Sequence, residues 1–183
     1  MTKVIAFVVL SLGIVYVSRK SLRVPGAHGF YRFFAWELIL ILFLLNVQDW
    51  FREPLSWHQL VAWTLLTAGL VPLVFGVRSL AREGRPTSER GAEPELLGFE
   101  KTTSLVTTGV YRYIRHPLYS SLLFLTWGIF FKLPTWYGAL LGLAATGFLY
   151  ATARADEVEC CHHFGPEYSA YMKRTTRFVP FLL

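Results

Sequence analysis

Long apolar runs separated by short polar or basic segments are the feature of the sequence that most constrains its fold. They cover residues 4–17, 33–47, 57–77, 118–133 and 135–153. A helix needs roughly 20 mainly apolar residues to cross a bilayer. Several runs reach that length only with flanking Tyr, Trp and Arg side chains, which tolerate the headgroup region. The pattern predicts an all-α, polytopic membrane protein with about five transmembrane helices.

Composition and the placement of charge support this prediction. The chain of 183 residues is 54% hydrophobic and contains six Trp, more than a soluble domain usually carries. If the loops alternate between two sides, one side receives only Lys3, Arg52 and Lys132 of the 18 lysines and arginines. Because basic residues collect in cytoplasmic loops, the N-terminus is predicted outside and the C-terminus in the cytoplasm. The net charge of +6 then attracts anionic lipid headgroups, and we predict no nucleic-acid partner.

The runs divide one predicted membrane-embedded domain, residues 1–183, into four parts. These are three N-terminal spans (1–80), a cytoplasmic loop (81–116), a helical hairpin (117–153), and a cytoplasmic C-terminal helix with its tail (154–183). Pro134 marks the turn of the hairpin. Gly165 and Pro166 predict a break in the C-terminal helix, because glycine often ends a helix and proline suits the first turn of the next.

Polar residues on either side of the hairpin are the first candidates for a site. The segment "YRYIRHPLY" places His116 directly before Pro117 and an apolar run. It could be an interfacial anchor or one wall of a polar pocket. Asp156, Glu157 and Glu159 follow the last span, where a basic anchor is usual. Adjacent carboxylates attract a cation, and a solvated helix face is the alternative.

Two further features carry weaker signals. Glu37 lies inside the second span, and ionisable residues within a membrane are functional candidates by default. It could instead reach towards Arg32 or Tyr31. The "CCHH" segment contains four consecutive residues, of which only Cys160 and His163 share a helix face. Zinc sites usually take ligands from spaced pairs, so no metal site is predicted.

Two motifs occur in a fixed order in the C-terminal half. The first is "SLVTTGVYRYIRHPLY", and "ADEVECCHHFGPEYSAYMKRTTRFVPFL" follows after the hairpin. The pair resembles the isoprenylcysteine carboxyl methyltransferase and phospholipid methyltransferase group of integral membrane enzymes. That group has a similar "LVTSGxYxxxRHPxYxG", then an acidic pair and "FGxEYxxYxxxxxxxIP". The resemblance covers about residues 96–181.

The resemblance implies S-adenosylmethionine as the cofactor, in a cytoplasmic-face pocket formed by the C-terminal half. It assigns cofactor contacts to residues before and after the glycine turn and to the acidic pair. They are Thr103, Ser104, Leu105, Val106, Tyr111, His116, Pro117, Leu118, Tyr119, Asp156 and Glu157. Of the three acidic residues after the last span, Glu159 is expected to contribute little to cofactor binding.

The residues that would contact the methyl acceptor differ from those of the family. The prenylcysteine enzymes of the group carry an arginine four residues before the first acid, where this chain has Thr152. Arg154 is the nearest arginine, and it and Glu37 are the candidate catalytic or substrate-contact residues. We expect methyl transfer to a lipid-soluble or amphiphilic acceptor. An NADPH-dependent membrane reductase of the sterol-reductase type and a non-enzymatic membrane protein are the alternatives.

Overall fold

The computed structural model of the chain describes residues 1–84 and 102–180. Its α-helices are α1 (Thr2–Ser18), α2 (His28–Asn46), α3 (Trp57–Glu83), α4 (Pro117–Phe130), α5 (Trp136–Phe164) and α6 (Pro166–Met172). The described residues include no strand, apart from one isolated bridge between Ile114 and Thr176. The predicted all-α class is therefore confirmed. Part of the predicted 81–116 loop, residues 85–101, and the last three residues of the tail lie outside the described residues.

Each of the five predicted apolar runs corresponds to one of the helices α1 to α5, although the run 118–133 extends beyond the end of α4. Two helical segments, His28–Asp49 and Trp57–Glu83, are long and apolar enough to cross a membrane. α1 and α4 are shorter apolar helices. The last span continues without a break into the C-terminal helix, and α5 runs on to Phe164 because residues 154–164 contain no glycine or proline. Gly165 adopts a φ of 59° and α6 begins at the next residue, as predicted.

Side-chain contacts define two ends of the helix bundle. At the first, the Lys3 ammonium donates to the Leu45 carbonyl, and Asn46 Nδ2 donates to the Ile129 carbonyl. At the second, the start of α2 contacts the last turns of α5. Successive helices from α1 to α5 therefore run in alternating directions. We call residues 45–58 and 129–136 the Lys132 end, and residues 18–28, 102–118 and 152–180 the His116 end.

Lys132 fastens the connection between α4 and α5 to the rest of the bundle. Its fully buried side chain donates from Nζ to Gln59 Oε1 (3.0 Å) and to the Trp50 carbonyl (3.3 Å). Nζ also lies 3.4 Å from the centre of the Trp63 ring. An ammonium removed from water needs such partners, and the electron-rich face of an indole supplies one of them.

Glycines let α3 and α4 approach closely along their length. A Cβ added at Gly128 would lie 2.8 Å from Leu66 Cγ, and one at Gly69 would lie 2.9 Å from Phe124 Cβ. Small residues at such positions are typical of helices that pack in apolar surroundings. By contrast, a Cβ at Gly147 on α5 would meet no atom within 4 Å.

This difference predicts opposite effects of two identical substitutions. Gly128→Ala is expected to lower the thermal unfolding midpoint in detergent, because overpacking typically costs about 1–3 kcal/mol. Gly147→Ala is expected to leave the midpoint unchanged or raise it, since the unfolded chain loses backbone freedom. Scanning fluorimetry of both variants beside the unchanged protein tests this. Equal midpoints for the two variants would contradict the close α3–α4 packing.

Candidate cofactor site

A cavity opens at the His116 end of the bundle. It contains about 830 Å³ of unfilled space, including open solvent at its mouth. Four parts of the chain form its walls: the segment before α4, the first turn of α4, the last turns of α5, and α6. His28, the first residue of α2, and Leu80 near the end of α3 complete the lining.

Most of the predicted cofactor residues line this cavity. They are Leu105, Val106, Tyr111, His116, Pro117, Leu118, Tyr119 and Asp156. Thr103 and Ser104 do not line it; their backbone N–H groups donate to the Gly84 carbonyl and tie the segment to the end of α3. Glu157 does not line it either.

The C-terminal residues 174–178, which we call the C-terminal strap, hold the segment before α4 in place. The backbone N–H of Arg115 donates to the Thr176 carbonyl at 3.0 Å, and that of His116 donates to the Arg177 carbonyl at 3.1 Å. On α4, the buried Ser120 hydroxyl donates to the Phe178 carbonyl at 2.7 Å. The strap therefore fixes the backbone from which the His116 ring extends.

His116 contacts both members of the acidic pair. Its Nδ1 lies 3.4 Å from Asp156 Oδ2, and its Nε2 lies 3.5 Å from Glu157 Oε1. The ring stacks on Tyr119 at 5.4 Å between centroids and is almost completely buried. Burial alone would lower the pKa of His116, but hydrogen bonding and charge interaction with the two carboxylates raise it. The arrangement favours an imidazolium in the cavity wall.

Asp156 is the member of the acidic pair that faces the cavity. Burial alone would raise the pKa of its carboxyl group. The hydrogen bond and charge interaction with His116, with a further contribution from His28, outweigh burial and hold the pKa below its ordinary value. The cavity wall therefore presents an ionised carboxylate.

Glu157, about 100° around α5 from Asp156, lies between two guanidinium groups. Arg115 Nε donates to Oε1 at 2.7 Å, while Arg177 donates to Oε1 from Nε at 2.8 Å and to Oε2 from a terminal nitrogen at 2.9 Å. Only 5% of the Glu157 side chain is exposed. Although burial alone would raise its pKa, His116, Arg177 and Arg115 hold the pKa well below the ordinary value. Both of its oxygens are therefore already engaged by guanidinium groups.

Two residues outside the predicted cofactor contacts also line the cavity. They are His28, which the sequence did not single out, and Glu159, which was named beside Asp156 and Glu157 and expected to contribute little to cofactor binding. The His28 backbone N–H donates to Glu159 Oε1 at 2.8 Å, and its ring Nδ1 lies 2.6 Å from Oε2. The position of Glu159 in the cavity could have been predicted, because residues three apart on a helix share a face and Asp156 was already a predicted cofactor contact. Nothing local distinguished His28.

His28, Asp156 and Glu159 place ligand-capable atoms within 4.8 Å of one another, so this group could hold a metal ion. It is not the "CCHH" group that the sequence suggested for inspection. Cys160 donates weakly from Sγ to Asp156 Oδ1 at 3.5 Å, and the His163 ring packs edge-on against Phe164. The absence of a bound metal stays a prediction.

The two candidate catalytic residues lie away from the cavity lining. Glu37, in the middle of α2, accepts a hydrogen bond from Ser11 of α1 at 2.9 Å. Arg154 is exposed on α5. Thr152, at the position where the prenylcysteine enzymes carry arginine, is buried and donates to the Phe148 carbonyl. Roles for Glu37 and Arg154 towards an acceptor stay predictions.

The geometry predicts that Glu157 stabilises the fold and that its contribution to the free energy of unfolding depends on pH. Glu157→Gln is expected to destabilise the protein by about 3–5 kcal/mol, because two guanidiniums lose their buried counter-ion. Since the pKa of Glu157 is lowered on folding, its contribution is present above the ordinary carboxyl pKa and is lost as the pH falls below it.

Thermal unfolding in detergent at neutral pH and at about pH 4 measures both effects. The midpoint of the unchanged protein should fall more on acidification than that of Glu157→Gln. Glu167→Gln is the matched control, because Glu167 is exposed on α6. A Glu157→Gln midpoint equal to that of the control would contradict this role.

Comparison with known proteins agrees with the motifs that meet at the cavity. The sequence model of the phospholipid methyltransferase family matches residues 59–162. Protein-S-isoprenylcysteine O-methyltransferase of Mus musculus is 31% identical over 134 residues, which are 71% of this chain and 47% of the mouse protein. The Homo sapiens protein of the same name is 30% identical over 135 residues, 71% of this chain and 46% of the human protein.

The chain thus spans slightly less than half the length of these curated relatives. No solved structure matches the chain significantly. The family match covers more than half of the sequence, including α4 and nearly all of α5. The chain belongs to the phospholipid methyltransferase family.

Proposed function

We propose that this chain transfers a methyl group from S-adenosylmethionine to a lipid-soluble or amphiphilic acceptor at the cytoplasmic membrane face. The observation that carries the proposal is the contact between His116 and Asp156, one from each motif, at 3.4 Å in the wall of one cavity. Each motif has a simple structural explanation alone. Their meeting in one cavity, together with membership of the family, favours a cofactor site.

The cavity residues fit the chemistry of S-adenosylmethionine, which carries an ammonium, a carboxylate, a sulfonium and an adenosine. The ionised Asp156 suits the ammonium. Within residues 1–84 and 102–180, the buried His116 Nε2 has no hydrogen bond of good geometry, since Glu157 is 3.5 Å away, and an imidazolium there suits an anionic group. The rings of Tyr111, Phe164 and Tyr168 in the lining suit a flat base.

When bound, S-adenosylmethionine supplies an electrophilic methyl group. The residues of the chain bind and orient it, and in well-aligned systems orientation lowers the activation barrier by roughly 7–11 kcal/mol. His116 holds a proton between two carboxylates. The apolar side chains of Leu105, Val106 and Leu118 exclude water from one wall. A carboxylate is better placed at the ammonium than at the sulfonium, whose charge disappears in the transition state.

Nicotinamide cofactors fit the lining less well. NADPH carries a 2′-phosphate that requires a cationic partner. Among the described residues of the cavity wall, Arg115 is the only arginine or lysine. Its guanidinium is already engaged by Glu157 and by the Thr175 carbonyl. This argues against the reductase alternative.

The acceptor is proposed to reach the cavity from the bilayer. Exposed apolar side chains cover α1 and the middle of α3, including Val8, Leu12, Leu70 and Phe75. Surfaces of this kind are typical of helices in contact with lipid. We propose that α1 to α5 all cross the membrane, with the His116 end in the cytoplasm and the N-terminus outside.

Ligand binding tests the proposed cofactor. Calorimetry in detergent is expected to show binding of S-adenosylmethionine and S-adenosylhomocysteine, and no binding of NADPH. His116→Ala should weaken binding by roughly 30-fold or more, the loss typical of removing one partner of a desolvated charged contact. His162→Ala is the control, because His162 is exposed on α5 outside the cavity lining. Binding of NADPH without S-adenosylmethionine would refute the proposal.

Cysteine labelling tests the proposed topology. Arg52→Cys and Lys173→Cys place exposed thiols at opposite ends of the bundle, in a background where Cys160 and Cys161 are replaced by alanine. A membrane-impermeant maleimide should label position 52 from outside and position 173 only in inverted vesicles. Labelling of both positions from the same side would contradict the five-span arrangement.

A further inference from the structure

We infer that Glu159, together with Asp156, forms the subsite for the ammonium group of the cofactor, and that His28 positions Glu159 for this task. The inference rests on the proposed function. It assigns to Glu159 the role that the family resemblance implies for Glu157.

The first support is the shared face of α5. Asp156 and Glu159 are three residues apart, so both side chains leave the helix on the side of the cavity, and both line it. Glu157 is displaced by about 100° around the axis from Asp156. It points to Arg115 and Arg177 and is absent from the lining.

The second support is the state of the carboxylates. The oxygens of Glu157 already accept three charge-assisted hydrogen bonds from guanidiniums. Glu159 contacts the imidazole and backbone of His28, and its side chain keeps 28% exposure. An entering ammonium therefore meets Asp156 and Glu159 without breaking the ion pairs that hold the strap.

The chemistry of the ligand matches this geometry. An alkylammonium donates three hydrogen bonds from one nitrogen and accepts none. Two carboxylates whose oxygens lie within 4.8 Å of each other supply converging acceptors. Hydrogen bonds between charged groups are about twice as strong as neutral ones, so the loss of one carboxylate should be clearly measurable.

His28 acts through Glu159 rather than on the ligand. It bonds both carboxylate oxygens, one from its backbone N–H and one through ring Nδ1. Two bonds from the first residue of α2 restrict the rotation of a side chain on α5. The carboxylate is thereby held in position before the ligand enters, which reduces the ordering cost of binding.

The test compares three ligands by calorimetry on the full chain in detergent. S-adenosylhomocysteine carries the ammonium and the carboxylate. Its decarboxylated analogue keeps only the ammonium, and 5′-methylthioadenosine has neither. Glu159→Gln is expected to weaken binding of the first two ligands by roughly 30-fold or more, and to leave the affinity for 5′-methylthioadenosine unchanged. Glu167→Gln, outside the cavity, should alter none of the three affinities.

The role of His28 has its own comparison. His28→Ala should weaken binding of S-adenosylhomocysteine less than Glu159→Gln does, because the hydrogen bond from the residue 28 backbone N–H to Glu159 remains. His28→Asn should restore most of the lost affinity, since its side-chain amide can replace the Nδ1 donor. A loss that extends equally to 5′-methylthioadenosine would indicate general damage to the cavity and overturn the positioning role.

The possible outcomes separate the two proposals. If the unchanged protein binds none of the three ligands, the proposed function fails. If it binds them and Glu159→Gln behaves like Glu167→Gln, the cofactor assignment stands and the ammonium subsite is refuted. Binding that requires added Mn²⁺, is abolished by a chelator and is lost in Glu159→Gln would show a metal in this subsite and overturn the inference.

Discussion

The pairing of Glu157 with Arg115 and Arg177 is the interaction on which the His116 end of the molecule depends. The three side chains come from α5, from the segment before α4, and from the C-terminal strap. A buried carboxylate is tolerated only with such partners. By drawing three distant parts of the chain to one point, it fixes the His116 backbone beside α5. It also leaves the adjacent face of that helix, which carries Asp156, to form a cavity wall.

Much of the fold follows from local rules in the sequence. The five apolar runs predict the five helices α1 to α5, and Gly165 followed by Pro166 predicts the break before α6. The match of two ordered motifs predicts the meeting of His116 with Asp156. These features depend on hydrophobicity, on backbone conformation at one glycine, or on a pattern retained across a family. Each can be recognised without knowing which helices are neighbours.

Other features depend on neighbours and could not be predicted so directly. Two adjacent carboxylates suggest that both contact the same ligand. Successive helical residues face different directions, however, so Asp156 and Glu157 have different neighbours. Helical phase alone could have grouped Asp156 with Glu159. No local pattern shows that His28, 131 residues earlier, bonds Glu159. None shows either that the buried Lys132 ammonium contacts an amide, a carbonyl and an indole ring.

The unbroken length of α5 has a consequence for how the sequence can vary. Its 29 residues carry the packing face against α2 and the site carboxylates on one rigid element. Insertion of a single residue between Ala145 and Asp156 would turn everything beyond it by about 100° and advance it by about 1.5 Å. The cavity would then receive the wrong side chain. Length changes among relatives should therefore collect in the connection between α4 and α5, while α5 keeps a constant residue count from its packing face to its acids.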